Sequence, residues 1–171
     1  MAGVKTTASA ADVASGLARH LERSTPHSKL LGTSDERPFQ RWVADRSQEW
    51  LDKTYPHRYS TKCEASGGGI IPIRAFGAGS WPDVAIGSQA SPTVLAVEVK
   101  CLKKRGLPNR FAQALGQALM YRQVYEGALV VYAVIEDVPV KVPNELLNTL
   151  AHNGIVVTVV KAWKPMKGGH A

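Results

Sequence analysis

Apolar and polar positions along this chain change period several times, and each change marks an element. Val13, Leu17 and Leu21 recur at helical spacing within Ala8–Arg23, which predicts a short amphipathic helix. The stretch around it, up to Gly32, is rich in Ser, Thr and Ala and reads as a loose N-terminal arm carrying that helix. Thr33, Ser34 and Asp35 are capping residues and Pro38 suits a first turn, so a helix is expected from about Glu36 to Lys53, ended by Tyr55-Pro56. His57–Glu64 and Ile70–Phe76 read as strands on either side of a Ser66–Gly69 turn, with Pro72 arguing for an edge or a bulge in the second. Gly77–Ser80 is a further turn, and Pro82–Ile86 with Thr93–Lys100 forms a hairpin. Leu107–Tyr125 is a long helix. Ala128–Ile135 is an unbroken apolar run, as expected of a strand buried on both faces. Pro143–His152 is a helix stopped by Gly154, and Ile155–Val160 is a last buried strand. The order is α/β, with helices packing on a mixed sheet. Residues 33–162 are expected to form a single domain, 1–32 an arm, and 163–171 a basic, frayed tail.

The hairpin carries charge where it should be apolar. Side chains alternate along a strand, so Val84 and Ile86 share a face with Leu95, Val97 and Val99, leaving Asp83, Glu98 and Lys100 on the other. Pairing Asp83 with Glu98 centres the turn between Ala90 and Ser91, inside the Gly87–Pro92 loop where the turn residues are. The two carboxylates then face each other with Cβ atoms about 5 Å apart, which is unfavourable unless one is protonated or a cation lies between them. The alternative is a solvated sheet face with Lys100 as counter-charge. On the helix from Leu107, Arg110, Gln117 and Tyr121 fall within about 20° of one line, while Phe111, Leu115, Ala118 and Leu119 cover a different face. On the first long helix, Val43, Ser47 and Trp50 lie within about 40° of Glu36 in projection, so Glu36 tops the inward stripe. An acid favoured by the helix dipole is the other reading of Glu36. Glu49 falls on the solvated side.

Composition narrows the classes. A chain of 171 residues, 44% hydrophobic and 20% charged, suits one globular domain with a real core. No apolar run approaches the roughly 18 residues of a membrane span, and the N-terminus lacks the apolar core of a secretory signal. A net charge of +7 favours polyanionic partners such as nucleic acid, with plain solubility as the alternative. Cys63 and Cys101 are too few for a disulfide scaffold and are expected as buried, reduced thiols, in a cytoplasmic or nucleoid-associated protein. The five histidines form no metal-ligand pattern. Lys103, Lys104, Arg105 and Arg110 follow the second hairpin strand and suit contacts to phosphates, or form an ordinary solvated basic loop. The Gly67–Gly69 and Gly77–Gly79 stretches lack P-loop spacing and read as turns. Trp81 reads as a packed strand end, with base stacking as the alternative.

Together these residues resemble the PD-(D/E)xK nuclease superfamily. Its motif appears as Pro82-Asp83 and Glu98-Val99-Lys100, and Gln117-x-x-x-Tyr121 looks like the RecB-like and Holliday junction resolvase-like branch. The resemblance covers about residues 36 to 136. It implies a restriction-endonuclease-like core (α-β-β-β-α-β plus a C-terminal helix and strand) and a magnesium-dependent nuclease, with Mn²⁺ as a substitute and no small-molecule cofactor. By the same resemblance Asp83, Glu98 and the Val99 carbonyl would be metal ligands, with Glu36 a further acid near the metal. Lys100 would position or activate the attacking water, and Gln117 and Tyr121 would orient Lys100 or the DNA backbone. The implied partner is DNA, with a homodimer as one way to cut both strands and no membrane. RNA as substrate and a non-cleaving nucleic-acid-binding subunit are the rival readings.

Overall fold

A computed structural model describes residues 8–31, 34–66, 69–75 and 78–162. Along the chain run α1 (Ala10–Arg23), α2 (Glu36–Thr54), β1 (Tyr59–Cys63), β2 (Ile73–Ala75), β3 (Ala78–Ser80), β4 (Val84–Ser88), β5 (Leu95–Leu102), α3 (Leu107–Tyr121), β6 (Gly127–Val134), α4 (Asn144–His152) and β7 (Ile155–Lys161). Five strands form one sheet in the order β1-β4-β5-β6-β7. β1, β4 and β5 are antiparallel, whereas β5, β6 and β7 are parallel. The parallel half follows from α3 and α4, because a strand can meet its successor in parallel only through a crossover. Both crossovers advance the same way along the sheet, so one handedness puts both helices on the same face. α1 and α2 cover the other.

Two apolar layers result. Val84, Ile86, Leu95, Val97, Val99, Leu129 and Val131 pack against Val13, Leu17, Leu21, Phe39, Val43 and Leu51 of the first two helices. Leu102, Ala128, Val130 and Tyr132 pack against Ala114, Ala118 and Leu150. Every residue of β6 is buried because both its faces are covered, as its apolar run predicts. The same holds for β5, so the idea of a half-solvated hairpin face is overturned. β7 lies at the sheet edge and is fully buried only at Ile155, Thr158 and Val160, less than expected.

The helix caps follow local chemistry. Ser9 and Asp12 form a capping box at α1, and Asp35 Oδ1 accepts from Arg37 N–H at 3.1 Å at the start of α2. Several expectations need correction. α1 is no loose arm: Val13, Leu17 and Leu21 are fully buried, because the apolar stripe of α1 covers the β6–β7 part of that sheet face. The first strand is shorter than expected, since His57 sits at φ 60° in a tight turn after Pro56. Among the described residues of the expected strand Ile70–Phe76, Ile73–Ala75 is strand, and it pairs with β3, a segment expected as a turn, in a separate two-stranded hairpin. α3 stops at Tyr121 rather than Tyr125, in a turn closed by Tyr125 N–H to the Tyr121 carbonyl. Of the apolar residues on the other face of α3, Ala118 is buried and Leu119 is exposed. Thr33, Gly67, Gly68, Phe76, Gly77 and the 163–171 tail lie outside the described residues. Among the described residues no helix is long and apolar enough to cross a membrane.

Candidate active site

β5 outruns β4. β4 begins at Val84, opposite Val97, while β5 continues to Leu102. The ladder Val84–Val97, Ala85–Ala96, Ile86–Leu95, carried one step further, sets Asp83 opposite Glu98, in the expected register. Beyond it the Val99 and Cys101 peptide groups face a side that β4 has vacated, where an unpaired N–H would be costly. Two carboxylates fill the role of the missing strand. Asp83 Oδ2 accepts from Val99 N–H at 2.6 Å, and Glu36 Oε1 accepts from Cys101 N–H at 3.2 Å. A residue's N–H and C=O leave a strand on the same side, so the Val99 carbonyl faces this gap too.

The gap gathers charge. Asp83, Glu98 and Lys100 are 6%, 1% and 8% exposed, far from the solvated alternative. Lys100 Nζ lies 2.6 Å from Glu98 Oε1 and 3.6 Å from Glu36 Oε2. Arg110 Nη1 donates to Glu36 Oε1 at 2.6 Å. The Tyr121 hydroxyl is 2.9 Å from both Glu98 Oε2 and the Trp81 carbonyl, so its one proton serves two acceptors. Gln40, on α2 and 7% exposed, donates through Nε2 to Asp83 Oδ1 at 2.6 Å. Each acid therefore has a dedicated neighbour from a helix on one side of the sheet or the other.

The electrostatics follow from burial and from an excess of acid. Asp83 is pushed up to about 8, first by burial and then by the Glu98 charge, against the pull of the Val99 N–H and Lys100. Glu98 is also raised, because burial outweighs Lys100 and Tyr121. Burial would lower Lys100, but the Glu98 carboxylate, helped by Glu36 and Asp83, outweighs it and holds the ammonium above its usual value. The Tyr121 hydroxyl is raised by burial and by Glu98. Three carboxylates thus face one ammonium and one guanidinium, and Asp83 relieves the imbalance by keeping a proton. A cation is the other remedy, and all-oxygen donors suit a hard one such as Mg²⁺ or Mn²⁺. Among the described residues no three of His, Cys, Asp and Glu are gathered closely enough to hold a metal ion by themselves. Any cation here would be held by Asp83, Glu98 and the Val99 carbonyl in competition with Lys100.

The structure brings Asp83, Glu98, Lys100, Glu36, Arg110 and Tyr121 together. Gln117 reaches the cluster only through Tyr121, its Nε2 being 3.5 Å from the hydroxyl. Lys104 and Arg105 are exposed and Lys103 half-buried in the loop after β5. Gln40 is the residue that sequence reasoning misses, since a glutamine on a helix carries no distinctive signal; its place one turn after Glu36 on the inward stripe is the available hint. Trp81 follows β3 and lies against Gly79, but at 46% exposed it is only partly packed, less than a packed strand end would be. Cys63 and Cys101 are buried free thiols, and burial pushes Cys101 up to about 12. A cleft of about 660 Å³, lined by His27, Lys29, Leu30 and residues of α2 from Pro38 to Asp52, includes none of the clustered acids. No protein family, curated protein or solved structure compared with the chain matches it.

Proposed function

We propose that this chain is a divalent-cation-dependent nuclease of the PD-(D/E)xK kind, with a restriction-endonuclease-like core, that hydrolyses DNA phosphodiester bonds. One observation carries the reading: Asp83, Glu98 and Lys100 are buried together where β4 parts from β5, with the carboxylates in register and the ammonium 2.6 Å from Glu98. The main sheet, counted from α2, also runs helix, three strands, helix, strand, with the β2–β3 hairpin inserted between the first two strands. Asp83, Glu98 and the Val99 carbonyl would hold Mg²⁺, which supplies neutralisation of the phosphate and a more acidic bound water. Lys100, paired as an ammonium, places positive charge beside the phosphorus as negative charge builds there. Gln40 and Tyr121 hold the two carboxylates in place through 2.6 Å and 2.9 Å hydrogen bonds. Arg110 pairs with Glu36 at the rim, 2.6 Å from its Oε1.

The test is cleavage of plasmid, single-stranded and branched DNA, and of RNA, with Mg²⁺ or Mn²⁺. Asp83→Ala and Lys100→Ala are each expected to lose at least about 100-fold in rate, the scale of a lost charge-stabilising group. Wild-type rates in both variants would refute the assignment. One observation favours a second reading, a non-cleaving DNA-binding subunit: every acid in the cluster already has a protein partner. Salt-dependent DNA binding with no cleavage under either metal would select it.

A further inference from the structure

The β2–β3 hairpin stands beside the acid cluster, and its two faces differ. Ile73 and Ser80 are paired in register. Ile73 is buried with Ile70, Ala85, Ala96, Tyr121 and Tyr125. That face is further held by the Tyr125 hydroxyl, which donates to the Ile71 carbonyl at 3.1 Å. Arg74 and Gly79 are the next pair, so by alternation they occupy the outward face. The Trp81 indole lies against Gly79: a Cβ there would fall 2.7 Å from Cη2 and 3.0 Å from Cζ3 of the ring. Glycine is therefore what lets the ring seat on the strand. Arg74, exposed and directly across from Gly79, leaves the hairpin on the same face, with cross-strand neighbours about 5 Å apart. The Trp81 carbonyl accepts from the same Tyr121 hydroxyl that holds Glu98, and Trp81 is two residues from Asp83. A large aromatic ring is thus backed by a strand, 46% exposed, on the hairpin face that carries Arg74, with its own carbonyl tied to the hydroxyl that holds Glu98.

We propose that Trp81, seated on Gly79 on the hairpin face that carries Arg74, is a stacking platform for an unpaired base of single-stranded DNA adjacent to the phosphodiester that enters the Asp83–Glu98–Lys100 site. This rests on the nuclease reading and narrows its substrate class. Bases inside a duplex have both faces occupied by their neighbours, so an open indole face selects strands whose bases are free. Arg74 answers the phosphate that accompanies the stacked base, and the net charge of +7 supplies long-range attraction.

The test is metal-free binding of the whole chain, in EDTA, to a fluorescein-labelled single-stranded thymidine oligonucleotide and to the matching duplex, read by anisotropy. Trp81→Ala is expected to weaken single-strand binding about 10-fold, within the range for one stacked base, and to change duplex binding less than about twofold. Trp81→Phe should keep most of the single-strand affinity. Gly79→Ala, which drives a methyl into the ring, should lose it as Trp81→Ala does. Unchanged single-strand affinity in Trp81→Ala, or equal loss on both DNAs, overturns the platform. The two readings fail separately. If Asp83→Ala abolishes cleavage while Trp81→Ala binds normally, only the platform falls. If Asp83→Ala cleaves normally while Trp81→Ala selectively loses single strands, the nuclease falls and the platform stands.

Discussion

Asp83 is the residue at which burial and charge pull hardest against each other. Its native value of about 8 lies above the ordinary 3.8, so the folded chain binds a proton that the unfolded chain has released. The sign follows: no penalty exists below about pH 4, it grows as pH rises, and it is complete above about pH 8. Glu98 is shifted in the same direction. In EDTA the melting temperature should therefore fall between pH 5 and pH 8, and Asp83→Asn should flatten that slope; a melt series across this range checks it. Excess Mg²⁺ should reverse the slope, because a cation favours the ionised carboxylates. Tyr121 gives a second prediction. Tyr121→Phe leaves Glu98 Oε2 without its 2.9 Å donor inside the protein, and should cost about 1–3 kcal/mol in urea denaturation at neutral pH. At this scale the hairpin acids are legible in the sequence, because alternation and a turn position suffice to oppose Asp83 and Glu98. Gln40 is not, because its role depends on where α2 meets a strand end 43 residues later.

Among the elements, those whose signal is local are readable and those that depend on distant partners are not. β6 announces its double burial by its unbroken apolar run, and α2 by its cap and Pro38. α1 shows an apolar stripe, but the surface that receives it is built from β6 and β7, more than a hundred residues later, so nothing nearby says whether the stripe is covered. Its place in the core makes a prediction: Leu17→Ala should destabilise the whole fold by about 2–5 kcal/mol, where a truly detached arm would give no change in chemical denaturation. β2 is legible within the longer expected strand Ile70–Phe76, whereas β3 escapes the sequence because a three-residue strand among glycines offers too little alternation to read. Gly154 is the reverse case. It stops α4 at φ 70°, and a Cβ there would lie 2.7 Å from Arg122 Nε. Gly154→Ala should therefore cost about 1–2 kcal/mol from backbone conformation alone, measurable as a lowered midpoint in urea.

For the molecule as a whole, the mixed α/β layering is legible because strand-period and helix-period segments alternate in the chain; what the charge is for is less so. The net +7 is spread over many residues, but the geometry singles out the loop after β5. Lys103, Lys104 and Arg105 follow the strand that carries Glu98 and Lys100, and the loop is anchored by Lys104 N–H to Glu136 Oε2 at 2.8 Å, a backbone bond that leaves the lysine side chain out of the anchor. Substituting all three by Ala keeps that anchor and removes three exposed or half-exposed cations. If they hold DNA phosphates, affinity should fall for every sequence alike, and the slope of log affinity against log salt should shrink by roughly 0.9 for each phosphate no longer neutralised. A titration of binding across salt concentrations measures that slope directly. An unchanged slope would mean that the basic loop is only a solvated surface and that the +7 acts from elsewhere on the molecule.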